Sequence, residues 1–154
     1  MSFDQAISDQ KLEGKGLRIG IVAACYNGER VNKLLNLVVQ ELEKLGVDQT
    51  EIRVERVPGA MEIPFAASRL SQSSDYHALI GLGVVIAGDT NHHDVIGYTT
   101  ASSLQQISIA TGVPVVNGIL VVETEQQASD RLGDKVDRGA EFARAAIALA
   151  NLDL

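Results

Sequence analysis

Three stretches of this chain are apolar almost without a break: "LRIGIVAACY" from Leu17 to Tyr26, "ALIGLGVVIAG" from Ala78 to Gly88, and "VPVVNGILVVE" from Val113 to Glu123. A strand with one wet face alternates polar and apolar residues. Runs without alternation are strands buried on both faces, as in a parallel sheet covered by helices. A fourth, weaker run is "EIRVERV", Glu51 to Val57. Helical patterns lie between the runs. "ERVNKLLNLVVQELEKLG" carries an apolar stripe through Val31, Leu34, Leu35, Val38, Leu42 and Leu45 and stops at Gly46, a C-cap residue type. "MEIPFAASRLS" predicts a shorter helix with Pro64 in its first turn. "HHDVIGYTTASSLQQISIATG" predicts a long helix whose small residues, Thr99 to Ser103, suit close packing. "TEQQASDRLG" has Gln127 three positions after Thr124, the spacing of a capping box, and "RGAEFARAAIALANL" predicts a last helix burying alanines and leucines. Strand and helix in strict alternation define an α/β fold, a three-layer αβα sandwich on a mostly parallel four-stranded sheet. Residues 1–16 read as an N-terminal arm that adds an edge strand, and 17–154 as a single α/β domain.

Composition narrows the function classes. With 13 Lys and Arg against 20 Asp and Glu the net charge is -7, which repels polyanions, and no Trp is present to stack on bases, so nucleic acid is not expected as a partner. The single cysteine, Cys25, has no intramolecular disulfide partner, and no apolar run approaches the roughly 20 residues that cross a bilayer. A cytoplasmic protein without membrane contact is the expectation.

In open parallel sheets ligands collect beyond the carboxyl ends of the strands. Those ends are Cys25-Tyr26-Asn27, Pro58-Gly59-Ala60, Gly88-Asp89-Thr90 and Val122-Glu123-Thr124. Gly88, Asp89 and Thr90 before a long helix read either as an anion site built on free backbone N–H groups or as plain helix capping. Arg131 reads as a guanidinium for phosphate or as a solvated arginine paired with Asp130 or Asp134. His92 and His93 point about 100° apart on a helix and are not expected to share one pocket, which also argues against a metal site. One of them at a strand end suits proton transfer, or is merely solvated. Tyr26 offers an aromatic face to a planar ligand or packs in the core. Glu62 binds hydroxyls or favours a helix dipole.

Taken together, "ACYN" (Ala24–Asn27), "VPGAMEIP" (Val57–Pro64), "GVVIAGDTNHHD" (Gly83–Asp94) and "NGILVVETEQQASDR" (Asn117–Arg131) resemble, in order and spacing, the 6,7-dimethyl-8-ribityllumazine synthase family over about residues 15 to 150. The resemblance implies the penultimate step of riboflavin biosynthesis. In it, 5-amino-6-ribitylaminouracil condenses with 3,4-dihydroxy-2-butanone 4-phosphate, releasing phosphate and water, with no metal or redox cofactor. By position it places Tyr26 against the pyrimidine with Asn27 beside it. Gly59, Ala60, Met61 and Glu62 hold the ribityl chain, Val84, Val85 and Ile86 line the pyrimidine, and Asn117 joins the same site. Gly88, Asp89, Thr90 and Arg131 bind phosphate, His92 transfers protons, and Lys135 and Arg138 are further candidates. The resemblance also implies homopentamers, often twelve in an icosahedral shell, with active sites between subunits and with riboflavin synthase as an associating partner.

Several positions depart from the family pattern. Ala87 stands where arginine is frequent, Met61 where phenylalanine is common, Asn91 where proline or threonine is usual, and His93 where an aromatic residue is more frequent. "GDKVDRG" (Gly133–Gly139) is one residue short of the usual linker, with Arg138 in place of lysine. Two rival readings are a non-catalytic flavodoxin-like binding or signalling domain, and an enzyme using Cys25 as nucleophile with His92.

Overall fold

The computed structural model describes residues 12–73 and 75–154. Four strands, β1 (Ile19–Ala24), β2 (Ile52–Val57), β3 (Ala78–Ile86) and β4 (Val115–Val122), alternate with helices α1 (Gly28–Lys44), α2 (Ile63–Ser73) and α3 (His92–Thr111), and two further helices follow, α4 (Glu125–Arg131) and α5 (Arg138–Ala150). The sheet order is β2-β1-β3-β4 and every pairing is parallel, as the unbroken apolar runs require. The weak fourth run is β2, an edge strand on which Arg53, Val54 and Arg56 are exposed.

Alternate residues of each central strand face opposite layers. Ile19, Ile21, Ala23, Ile80, Leu82, Val84, Val116 and Leu120 pack with α1 and α5 through Leu34, Val38, Phe142 and Ala146. Val22, Ala24, Leu79 and Ile119 pack on the other side with Ile63, Ala67, Leu70 and Leu104 of α2 and α3. Each side chain of this size, fully buried, contributes roughly 1.5–3 kcal/mol of transfer free energy.

The helices begin and end for local reasons. α1 stops where Gly46 takes φ 104°, a conformation glycine adopts without strain. Between Gly59 and α2 the chain makes a 3-10 turn, Ala60–Glu62, so the α-helix starts two residues later than the pattern from Met61 suggests, and Pro64 falls in its first turn. Thr124 Oγ1 accepts from Gln127 N–H at 3.1 Å, while the return bond from the Gln127 side chain reaches Glu123 N–H at 2.8 Å instead of the cap residue's own N–H. The short linker is a tight turn. Lys135 and Val136 N–H both donate to Asp130 O, and Gly133 turns at φ 107°. α5 buries Gly139, Phe142, Ala143, Ala146 and Ile147, whereas Leu149 and Leu152 are exposed, which corrects the expectation that its leucines are buried.

The edge strand expected of the N-terminal arm falls largely on residues 1–11, outside the described residues; residues 12–16 form no strand and fold back, with Gly14 N–H donating to Leu45 O at 2.8 Å. No helix among the described residues is long and apolar enough to cross a membrane.

Gly139 lets α5 lie against α1, since a Cβ there would meet Leu37 Cβ at 2.5 Å and Leu34 O at 3.2 Å. Gly139→Ala is therefore expected to cost about 1–3 kcal/mol by overpacking. Gly28→Ala is the matched control, because a Cβ at Gly28 meets nothing within 4 Å. Chemical denaturation of both variants checks this: the first midpoint falls, the second does not.

Candidate functional site

The strand order reverses direction between β1 and β3: from β1 the chain steps outward to β2, then returns past β1 to place β3 on its other side. At such a switch point the loops diverge and leave a crevice at the carboxyl ends. A cleft of about 530 Å³ lies there, and this size suits a small molecule.

Each wall follows from local structure. Cys25 and Tyr26 continue the β1–β2 pairing past the strands, donating to Val57 O and Pro58 O at 2.7 and 3.0 Å. This pins the Tyr26 backbone while its ring stands 74% exposed beside the cleft, so it is not a core residue. Asn27 adopts φ 54°, the left-handed region that asparagine tolerates best after glycine, and caps α1 by position alone. Its side-chain amide instead donates to Val84 O at 2.7 Å, joining the ends of β1 and β3. The opposite wall is the Gly59–Glu62 turn. Thr90 Oγ1 accepts from His92 N–H at 3.3 Å at the start of α3.

The cleft brings together Tyr26, Asn27, Gly59, Ala60, Met61, Glu62, Val84, Val85, Ile86, Gly88, Thr90 and His92, all anticipated from sequence. It also takes in Ala24, Pro58, His93 and Ile96, which sequence reasoning did not assign to the site. Ala24 and Pro58 flank anticipated stretches and were within reach of a rim argument. His93 was not. The two histidines were expected to diverge, yet both border the cleft, which wraps around the end of α3. His92 is exposed; the His93 side chain is only 12% exposed, with Nδ1 3.2 Å from Thr90 O and Nε2 3.5 and 3.4 Å from Asp94 Oδ1 and Glu123 Oε1.

Five anticipated residues lie outside this cleft. Asp89 is exposed on the turn between Gly88 and Thr90. Asn117 is exposed on β4, its Oδ1 accepting from Ile119 N–H at 3.0 Å. Arg131 belongs to α4, whose Ala128 and following Leu132 pack in the α1/α5 layer, opposite the layer that walls the cleft. Its Nη1 donates to Gln127 O at 2.9 Å within its own helix. Lys135 Nζ lies 3.5 Å from Asp130 Oδ2. Asp130 is held below the usual carboxylate range, first by the Gln126 side-chain amide and also by Lys135. Arg138 pairs with Glu141 and lies 5.1 Å over the Phe142 ring. Cys25 is exposed and does not line the cleft, which removes the support for a Cys25–His92 nucleophile.

Among the described residues of one chain, then, the cleft is lined by no Lys or Arg; the ionisable side chains on its walls are Tyr26, Glu62, His92 and His93. The ring of Tyr26, the carboxylate of Glu62 and His92 beside the start of α3 meet in a cleft at the carboxyl edge of a parallel α/β sheet, the place and size of a small-molecule site. The sequence makes the class of protein specific. The family model of 6,7-dimethyl-8-ribityllumazine synthase matches residues 16–153, and the chain belongs to this family. It is 41% identical over 144 residues to the 6,7-dimethyl-8-ribityllumazine synthase of Azoarcus sp., covering 94% of this chain and 90% of that protein. The enzyme of the same name from Cupriavidus necator is 40% identical over 150 residues, 97% of this chain and 89% of the relative. That of Bordetella petrii is 43% identical over 141 residues, 92% and 79%.

The Asn27 strap generates a stability test. Asn27→Ala loses the bond to Val84 O and strains a left-handed backbone, a cost of about 2 kcal/mol; Asn27→Gly keeps the backbone and loses only the bond, about 1 kcal/mol. Denaturant titration should rank wild type above the Gly variant and the Gly variant above the Ala variant.

Proposed function

We propose that this protein condenses 5-amino-6-ribitylaminouracil with 3,4-dihydroxy-2-butanone 4-phosphate to 6,7-dimethyl-8-ribityllumazine, with release of phosphate and water. Family membership supports the activity, and the observation that carries it to these residues is the meeting of Tyr26, Gly59–Glu62, Val84–Ile86, Gly88, Thr90 and His92 in one cleft. Tyr26 stacks on the pyrimidine while Val84, Val85 and Ile86 line its edge. Gly59, Ala60, Met61 and Glu62 take the ribityl chain, the Glu62 carboxylate accepting from its hydroxyls. Asn27 acts by holding β1 to β3. The phosphate lies at the turn Gly88–Thr90, where the start of α3 favours an anion.

The reaction forms an imine, expels phosphate, closes a ring and loses water. It needs positioning of two substrates and repeated proton movement more than a strong nucleophile. His92, exposed at the cleft edge, serves as the proton carrier.

The cation is the missing part, and we assign it to a neighbouring copy of the chain. Arg131, and with it Asn117, Lys135 and Arg138, completes the site across a subunit contact. The shape of α3 supports an assembly: of its 20 residues only Thr100 and Leu104 are buried, while Val95, Tyr98 and Ile109, with Phe65 on α2, are between 54% and 82% exposed. A surface this apolar is one that a partner covers. The homopentamer, alone or joined with others into a larger shell, is the assembly we propose, with residues 17–154 as the catalytic domain.

Mixing both substrates with the purified protein should give lumazine absorbance and fluorescence above the spontaneous background; a rate equal to background would leave the non-catalytic binding domain as the better reading. His92→Ala is expected to lower kcat by about tenfold or more, and Arg131→Ala to raise KM for the phosphate substrate by roughly 10–100-fold. Co-assembly of the two variants in equal amounts should restore about a quarter of the wild-type sites, because a site between subunits draws each residue from a different chain. Absence of restoration would place both residues in one chain's site.

A further inference from the structure

His93 has no part in the chemistry above, yet it is the more enclosed of the two histidines. Three oxygens surround its ring nitrogens: the Thr90 carbonyl at Nδ1, and the Asp94 and Glu123 carboxylates at Nε2, at 3.2, 3.5 and 3.4 Å. A carbonyl oxygen only accepts, so the contact at Nδ1 is a hydrogen bond in the tautomer that carries its proton there, and a ring with both nitrogens protonated donates toward the two carboxylates at Nε2 as well. The ring thus reaches from the turn that precedes α3 to Glu123 at the end of β4.

Other hydrogen bonds of the turn between these points run forward into the start of α3: Thr90 Oγ1 accepts from His92 N–H, and Asn91 O from Asp94 and Val95 N–H. Gly88, Asp89, Thr90 and Asn91 are all exposed, and a Cβ at Gly88 would meet nothing within 4 Å. Asn91, the cap residue of α3, contributes no side-chain bond to the helix. At the start of the turn, Ala87 N–H is bonded to Val122 O at 2.9 Å. His93 ties its far side to the neighbouring residue of the same strand.

We infer that His93 is a positioning residue for the phosphate subsite: it staples the Gly88–Thr90 turn to the carboxyl end of β4 and so fixes where the turn's N–H and hydroxyl donors point. An anion held by several donors loses affinity steeply when one swings away. The inference rests on reading that turn as the phosphate subsite.

The test compares wild type with His93→Phe, which keeps a ring and removes both nitrogens, and His93→Asn, whose amide reaches the Thr90 carbonyl as Nδ1 does. Inorganic phosphate is titrated into each assembled protein by calorimetry, and KM for each substrate is measured alongside kcat. The Phe variant is expected to bind inorganic phosphate about tenfold more weakly and to raise KM for the butanone phosphate by a similar factor, while KM for the aminouracil and kcat stay within about twofold. The Asn variant keeps only the bond to the Thr90 carbonyl, within the turn, and should bind phosphate about as weakly as the Phe variant; full recovery by Asn would show that the link to Glu123 is not needed and overturns the inference. Unchanged phosphate binding in the Phe variant overturns the inference. So does a parallel rise in both KM values, which marks a general fold contribution. If wild type turns over and responds in neither way, this inference alone fails; if wild type forms no lumazine and binds no phosphate, the underlying functional reading fails with it.

Discussion

The parallel pairing of β1 with β3 is the constraint on which the site depends. Ile19 to Ala23 pair in register with Ala78 to Leu82, and both strands are buried on both faces, so a shift of register by one residue would exchange the two cores. Beyond the paired segment the strands separate, β1 ending at Ala24 and β3 running on to Ile86. The Asn27 amide crosses that gap to Val84 O and sets its width. Tyr26 and the apolar floor, Val84 to Ile86, thus hold their spacing through main-chain bonds and one side chain, with no contribution from the ligand itself.

Much of this was legible because it follows from one-dimensional pattern. Unbroken apolar runs gave three strands, and the broken one, "EIRVERV", proved to be the half-exposed edge. Strand ends name rim residues, and a parallel sheet puts them on one rim, so the floor and two walls of the cleft were within reach of sequence reasoning alone. The layer of each helix is not written in its own residues. Arg131 sits beyond the fourth strand end, as a rim argument wants, but Ala128 and Leu132 turn α4 into the layer away from the cleft. His93 escaped for a related reason. Both histidines border the cleft at the start of α3, and His93 is drawn inward by Thr90 O and Glu123, the latter thirty positions along the chain.

Two features that look separate, the proposed phosphate turn with no Lys or Arg beside it among the described residues of one chain and a long helix with only two buried residues, have a common explanation in the proposed assembly. α3 runs from the rim of the cleft along the outside of the sheet, and Val95 and Tyr98 lie within the two turns that follow His92. A subunit that covers this apolar face necessarily reaches the mouth of the cleft. Its own Arg131, turned away from its own cleft, is then available to a neighbour's. In such an arrangement burial of apolar surface and completion of the site are the same event, and an isolated chain would be short of both.

Electrostatics bears on the proposed division of labour between subunits. A chain of net charge -7 repels a phosphorylated substrate at long range, and Asp89 beside the turn adds to that locally. Screening limits the global repulsion to roughly 8–10 Å at physiological ionic strength, so what decides binding is the arrangement inside that distance. There the turn offers the start of a 20-residue helix. Its first turn also carries Asp94, whose carboxylate lies toward His93. With the acidic partners of His93 turned to Nε2, the donors of the turn are the part left to the anion, and their value depends on geometry more than on charge. In the proposed assembly a guanidinium from another chain would supply the charge, and the proposed staple at His93 the geometry for it to act on.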